Sequence, residues 1–557
     1  MSSKTKMSIP PAGDAASGAN QVPVILESNV PLSSSLIWRR QREFYMQRGM
    51  GAWTADRVPQ FITNNPFIAE IYANLVFHFL CDCLELDGQG PGGISPQNPL
   101  RILELGAGPG KFAYLFLRHL APLLRAKALS LETVRYCMTD CSERVLESWR
   151  ANPYLSEFVA CGVLEFDLFE TGQDVTKRFG AGQESPARPL VVIANYVFDS
   201  LPQDAFVIQG GQDRQDRKIF ESLVTATIPY PTSQSAKDNV TPAQGALQEL
   251  QLSYQNVALP PERYADATWN EILEQYQTRL SSATVLFPSV TLTTLGELGT
   301  VSDGRILVLA ADKGYAHEDA LALSQGPPAL EWHAGDCFSL MVNLDAIGKF
   351  FRATGGEALL PDKHFSSLNI CGFLRGQPGE QFPRLINAYQ QAQAAFGPDD
   401  LFTLLAWLNA HMEEMSVGQI LAALRLTHWD PVALMRLFPV LGRQLRTVVA
   451  ERADLRVAVT RTWANHYPVT QDENILAFQC GVVLLELRFF AEAMAMFKTS
   501  QKVLSPSAAT SYNLGLCAQG LGQSDEALAF MVEACNLDPN FEQARAARHK
   551  LESKGKG

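Results

Sequence analysis

Apolar and polar positions change rhythm along the chain. Between about residues 96 and 375, short apolar runs alternate with longer segments of helical period. The runs at 101–105, 134–140, 163–169, 189–195 and 305–313 predict five strands. Strands that alternate with helices imply a parallel sheet covered on both faces. The nearly unbroken apolar run 189–195 reads as a central strand. Upstream, 36–47 and 67–84 have helical period, so 31–95 is predicted to be a helical cap. About 100 residues separate the fourth and fifth strands, far more than an ordinary connection needs. This insertion, about 205–300, contains an alternating segment at 250–257 and a helix at 265–280. From about 376 the pattern is helix without strands: 401–415, 417–426, 431–449 and 452–465, a helical connecting region that runs to 470. Residues 1–30 are rich in Ser, Ala, Pro and Gly, and read as a flexible lead-in.

The first strand opens the most specific stretch, RILELGAGPGKFAYLFLR at 101–118. The apolar run ends in Glu104, turns on Gly106, Gly108 and Gly110, and enters a helix. Glycines let a backbone approach a ligand closely, and a helix start offers unpaired N–H groups. The spacing is wrong for the dinucleotide fingerprint, because position 111 is Lys. It also fails the phosphate-binding loop, because 105 is Leu and 112 is Phe. An acidic residue at the strand tip suits an ammonium or ribose hydroxyls. The combination points to S-adenosyl-L-methionine (SAM).

Polar residues at the ends of the following strands extend this pocket. Asp140 ends the second strand and can accept both ribose hydroxyls, Asp167 nears the end of the third, beside Leu168, and faces adenine, and Asn195 ends the fourth near the donor methyl. Glu104 supports the methionine end, and Gly106, Ala107, Gly108 and Gly110 form the backbone cradle. Tyr196 and Asp199 are the catalytic candidates on the acceptor side. A packed aromatic at a strand end and a helix N-cap are the alternatives for these two. The long insertion would shape the acceptor site.

These motifs resemble class I SAM-dependent methyltransferases, and within them the MidA-like group, whose mitochondrial members assist respiratory complex I assembly. The resemblance spans roughly 35–375. Segment 195–202 is similar to the group's Asn-Glu-x-x-Asp-Ala-Leu-Pro, and 311–315 to its Asp-Tyr-Gly. Thr63 lies in Phe-Ile-Thr-Asn-Asn-Pro, similar to a Tyr-Thr-Ser-Pro segment that lines the SAM site in the group. The resemblance implies a Rossmann-like α/β fold, SAM as cofactor and Thr63 in its site. The chain departs from the group at Tyr196, where Glu is usual, and at Asp312-Lys313-Gly314-Tyr315. Both departures fall on the acceptor side.

A repeat appears near the C-terminus. Phe478 matches Tyr512, Gly481 matches Gly515, Ala493 matches Ala527 and Phe497 matches Met531, each pair 34 residues apart. Period and residue types resemble tetratricopeptide (TPR) repeats over 471–552, an all-α region that implies a protein or peptide partner. The net charge of −12 and the lack of Lys/Arg runs argue against nucleic acid. The ten cysteines and nine histidines form no metal-ligand spacing, so no metal is predicted. No apolar stretch reaching about 18 residues is read, so no membrane span and a cytoplasmic protein are expected. The prediction is a methyltransferase acting on an acceptor recruited through the TPR region. The alternative is a TPR interaction module carrying a SAM-binding, non-catalytic domain. The sequence leaves the oligomeric state open.

Overall fold

The computed structural model describes residues 22–53, 61–88, 93–169, 188–210, 213–230, 249–333, 337–362, 368–395 and 397–554. The predicted loop at 89–98 and the insertion therefore lie partly outside the described residues, as do most of the lead-in and the late segment around 336.

The central element is a seven-stranded mixed sheet. Its strands are β1 (Leu100–Leu105), β2 (Val134–Asp140), β3 (Leu164–Leu168), β4 (Arg188–Asn195), β5 (Ser302–Asp312), β6 (Glu357–Leu359) and β7 (Asn369–Arg375). They lie in the order β6-β7-β5-β4-β1-β2-β3. The five predicted strands pair in parallel, whereas β7 runs antiparallel between β5 and β6. The register places Leu103 beside both Cys137 and Val192. Strand order reverses direction between β1 and β4, and open sheets of this kind bind ligands where that happens, beyond the carboxyl ends of the strands.

The chain divides into two compact units. One comprises Tyr45–Leu201, Val290–Ala320 and Met341–Gly557, and holds this sheet. Its helix Pro66–Asp87 corrects the expectation of no long apolar stretch: it is 22 residues long, with a mean hydropathy of 1.5. Composition alone would let it cross a membrane, but 67% of that apolar stretch is buried. It forms part of the core, with Tyr72 edge-on to Phe112 and Phe79 stacked on Phe382. Isolated polar residues such as Asp82 interrupt the apolar run, which is why sequence reading underestimated it. Asp82 is itself satisfied, accepting the Leu385 N–H at 3.0 Å.

The same unit continues into helices Pro398–His411, Val417–Leu426, Pro431–Gln444 and Arg452–Ala464, close to their predicted ranges. Ser416 and Gln419 form a capping box on the second, and Asp430 caps the third. Two helical hairpins follow, Leu476–Glu486 with Phe490–Val503 and Ala508–Gly520 with Ser524–Leu537, and then a last helix, Glu542–Lys554. The 34-residue period has a packing counterpart. A Cβ on Gly481 would lie 2.7 Å from Phe497, and one on Gly515 would lie 2.7 Å from Met531. In both hairpins a glycine of the first helix lets a large residue of the second approach its backbone.

The other unit comprises Met1–Phe44, Pro202–Ser289 and Leu321–Leu340. Strand Lys218–Tyr230 pairs antiparallel with Val22–Pro31, Asp204–Gln209 and Gln251–Ala258, and Asp204–Gln209 pairs with Ala283–Phe287. Residues 22–31, read from composition as lead-in, thus form a strand. Their partner lies about 200 residues downstream, out of reach of a local pattern. The inserted helix is Ala267–Arg279, as predicted to within two residues. Arg263 pairs with Glu221 through two bonds of 2.9 and 2.7 Å, and Tyr264 donates to Asp204 at 2.7 Å.

Candidate cofactor site

Five of the polar residues singled out in the sequence stand at or near the carboxyl ends of β1 to β4. Glu104 is buried near the end of β1, where the Tyr136 hydroxyl donates to it at 2.9 Å. Burial pushes its carboxyl up to about 8, against the smaller opposing effect of that bond. Gly106, Gly108 and Gly110 follow with φ of 60°, 53° and 78°. Three left-handed residues in five explain the glycine spacing, because a side chain at any of them would be strained.

Space is also short around the turn. A Cβ on Gly106 would come 3.2 Å from Val197, one on Gly108 3.0 Å from the Trp53 ring, and one on Gly110 2.8 Å from the Met138 methyl. With no side chains of its own, the turn is held by groups outside it. The Ala107 N–H donates to the Thr139 carbonyl at 2.8 Å, and the Trp149 indole donates to the Gly108 carbonyl at 2.9 Å. The Tyr467 hydroxyl donates to the Pro109 carbonyl at 2.8 Å. Helix Lys111–Ala126 then begins without a side-chain cap, so its first N–H groups face the end of the turn.

Asp140 accepts the Gly108 N–H at 3.3 Å and the Ser142 N–H at 3.1 Å. Burial nevertheless pushes its carboxyl up to about 6. Asp167 pairs with Thr139 across to β2, and one of its oxygens accepts the Leu168 N–H at 2.9 Å. Leu168 lies opposite Asp140. Asn195 ends β4 next to the turn, and both the oxygen and the nitrogen of its amide are buried without a hydrogen-bond partner in the protein. A buried amide unsatisfied at both ends is costly, and its place at the carboxyl end of a central strand is where a ligand would satisfy it.

The chain after Asn195 carries strain. Tyr196 has a φ of 53°, and its N–H donates to the Ala311 carbonyl at 2.9 Å. Such a conformation costs a non-glycine residue about 1–2 kcal/mol, and strain of this kind tends to be retained at functional sites. Asp199 is buried in the following turn, where the Ser200 hydroxyl donates to it at 2.8 Å. Beside it is Asp312, at the end of β5 and fully buried, whose carboxylate accepts the Phe198 N–H at 3.2 Å. Burial first, and the charge of Asp199 second, push the Asp312 carboxyl well above its ordinary range. The structure therefore brings Tyr196, Asp199 and Asp312 to one strand-end loop.

Thr63 is buried in the turn before Pro66–Asp87, and among the described residues no hydrogen bond ties it to the glycine turn. Sequence reasoning did not identify Trp53, Tyr136, Trp149, Asp312 or Tyr467. Asp312 had a signal, as the last residue of an apolar strand. Tyr467, 357 residues after Gly110, had none. Among the described residues no cluster of three His, Cys, Asp or Glu side chains is placed to hold a metal ion.

Residues 86–309 match a methyltransferase family model. The family is described as "Putative S-adenosyl-L-methionine-dependent methyltransferase", and the match covers less than half of the chain. It takes in the glycine turn, Asp140, Asp167 and Asn195. SAM is thus the cofactor of the matched family, and the cradle that a Cβ would fill and the unsatisfied Asn195 amide fit it. The α/β domain is methyltransferase-like, and a helical C-terminal region follows it.

Solved structures of similar outline include an uncharacterized superfamily protein from Burkholderia thailandensis, 13% identical, with a TM-score of 0.37, covering 64% of this chain and 89% of that one. A superfamily member from the same organism, bound to S-adenosyl-homocysteine, is 14% identical, with a TM-score of 0.35 and coverages of 64% and 90%. The CMeT domain of the citrinin polyketide synthase is 12% identical, with a TM-score of 0.22 and coverages of 51% and 48%. The fold and cofactor statements rest on the family match and the strand order, not on these scores. No curated protein matches the chain.

Proposed function

We propose that the protein is a SAM-dependent methyltransferase with a Rossmann-like catalytic domain of the MidA-like kind, acting on a protein acceptor recruited through TPR-type hairpins. The observation that carries the cofactor pocket is the unsatisfied Asn195 amide beside a turn of three left-handed glycines. SAM supplies a methyl group already activated by its sulfonium, so the protein's work is mainly positioning. Glu104 takes the amino-acid end, Asp140 the ribose hydroxyls and Asp167 the adenine amine. Asn195 satisfies its amide against the ligand near the donor methyl. On the acceptor side, Asp199 and Asp312 cannot both ionise at low cost, so one of them is suited to hold a proton lost by the acceptor. Tyr196 sits at the strained hinge of the same loop.

The departure at Tyr196 from the resembled group's Glu favours a second reading, a SAM-binding but non-catalytic domain serving the TPR-type region. Isothermal calorimetry with SAM and with S-adenosyl-homocysteine tests the pocket. Micromolar binding that Asp140→Ala abolishes supports it, and no binding of either ligand refutes it. Radiolabelled methyl transfer in extracts then separates the two readings.

A further inference from the structure

The contacts of Tyr467 join the C-terminal helical region to the glycine turn. Tyr467 follows helix Arg452–Ala464 and precedes the first repeat hairpin. Its side chain is about 1% exposed. Its hydroxyl donates to the Pro109 carbonyl at 2.8 Å and accepts from the Asn152 amide at 2.8 Å. The same hydroxyl lies 3.1 Å from where a Cβ on Gly110 would sit. A residue far downstream thus contributes to the demand for glycine at position 110.

Pro109 lies between two left-handed glycines. Peptide groups beside glycine reorient at low steric cost, so the direction of the Pro109 carbonyl depends on its partner. That direction sets where the neighbouring N–H groups point. Just beyond, Lys111 is almost buried, and its ammonium lies 3.6 Å from the carboxylate of Glu473. Glu473 belongs to the short turn Gln471–Ile475, which runs directly into the first repeat helix, Leu476–Glu486. Two independent contacts therefore tie the start of the repeat region to the cofactor turn.

We infer that Tyr467 is a positioning residue for the cofactor, holding the Pro109 peptide in its binding orientation, and that the helical C-terminal region is a working part of the cofactor site. The inference rests on the SAM reading above. By linkage, a partner that displaces residues 467–475 changes SAM affinity, and SAM changes that partner's affinity by the same factor.

The test is calorimetric titration of the full chain with SAM and with S-adenosyl-homocysteine, for wild type, Tyr467→Phe, Glu473→Gln and Tyr114→Phe. Tyr467→Phe keeps the ring and removes one hydrogen bond, so Kd should rise by about threefold to tenfold, equally for both ligands. Glu473→Gln should weaken both ligands in the same direction. Tyr114→Phe removes a bond from the same helical interface, to the Ala464 carbonyl, without touching the turn, and should stay within about twofold of wild type. Wild type binding neither ligand overturns the SAM reading and this inference with it. Wild-type binding with Kd unchanged in both Tyr467→Phe and Glu473→Gln overturns this inference alone. So does an equal loss in Tyr114→Phe, which would mark general loosening.

Discussion

Glu104 offers a sharp test of the site, because the apo protein should be destabilised by its own carboxylate as pH rises. The group is fully enclosed, receives one hydrogen bond from Tyr136, and has its carboxyl raised from an ordinary 4.5 to about 8 by burial. A carboxyl whose folded value exceeds its unfolded value binds a proton more tightly in the native state. Its contribution is fully present below the unfolded value and is lost as pH climbs through the folded one. At about 1.36 kcal/mol per pH unit, the loss between pH 5 and pH 8 is about 3–4 kcal/mol. Asp140 and Asp312 are shifted in the same direction, so wild type alone does not isolate the effect. The difference between wild type and Glu104→Gln does, because glutamine keeps the shape and cannot ionise. Urea unfolding of both proteins across pH 5–8 should give a difference that falls steadily against wild type by that amount. A difference constant to within about 1 kcal/mol would refute the reasoning. The cationic amino group of SAM beside Glu104 would favour the carboxylate instead. Binding near pH 7 should then release a proton, seen as a binding heat that varies with the buffer's ionisation heat.

Two further predictions concern glycines. Gly110→Ala should destabilise the protein by about 2–3 kcal/mol, combining the left-handed penalty with displacement of Met138, Tyr467 and Trp149; chemical denaturation within about 0.5 kcal/mol of wild type would contradict it. In the hairpins, Gly481→Ala should cost about 1–3 kcal/mol, because it meets the stiff Phe497 ring, whereas Gly515→Ala should cost less than about 1 kcal/mol, because the Met531 tip can move and alanine favours the helix. Thermal unfolding of the two variants should rank them in that order.

Much of the sheet was legible because its strands are short apolar runs between helices, and position in such a fold determines which strand ends meet. The carboxyl ends of β1, β2, β3 and β4 could therefore be matched to Glu104, Asp140, Asp167 and Asn195 before any coordinates. The strand Val22–Pro31 was not legible, since its segment is polar and alternating and its pairing with Lys218–Tyr230 spans nearly the whole first half of the chain. The two polar interruptions at His78 and Asp82 concealed the length of Pro66–Asp87 for a related reason: a run of hydropathy registers composition, while burial is decided by partners such as Leu385.

The site's supporting residues show the same limit more sharply. A glycine turn announces itself in sequence because backbone conformation is a local property, and three left-handed residues need three glycines. What holds that turn is not local. Trp149 reaches it from the helix after β2, and Tyr467 from beyond the whole sheet. Neither residue belongs to any motif, yet each bonds a carbonyl that no side chain of the turn could fix. The helical region also shares buried contacts with the sheet unit, since Tyr467 and Leu401 lie in the same core as Phe112 and Trp149. A repeat array attached by a free linker would leave the cofactor turn indifferent to what binds the repeats. Here the segment that starts the array ends on the turn, so the sheet and the array are mechanically one piece, and the cofactor's affinity is a property of both.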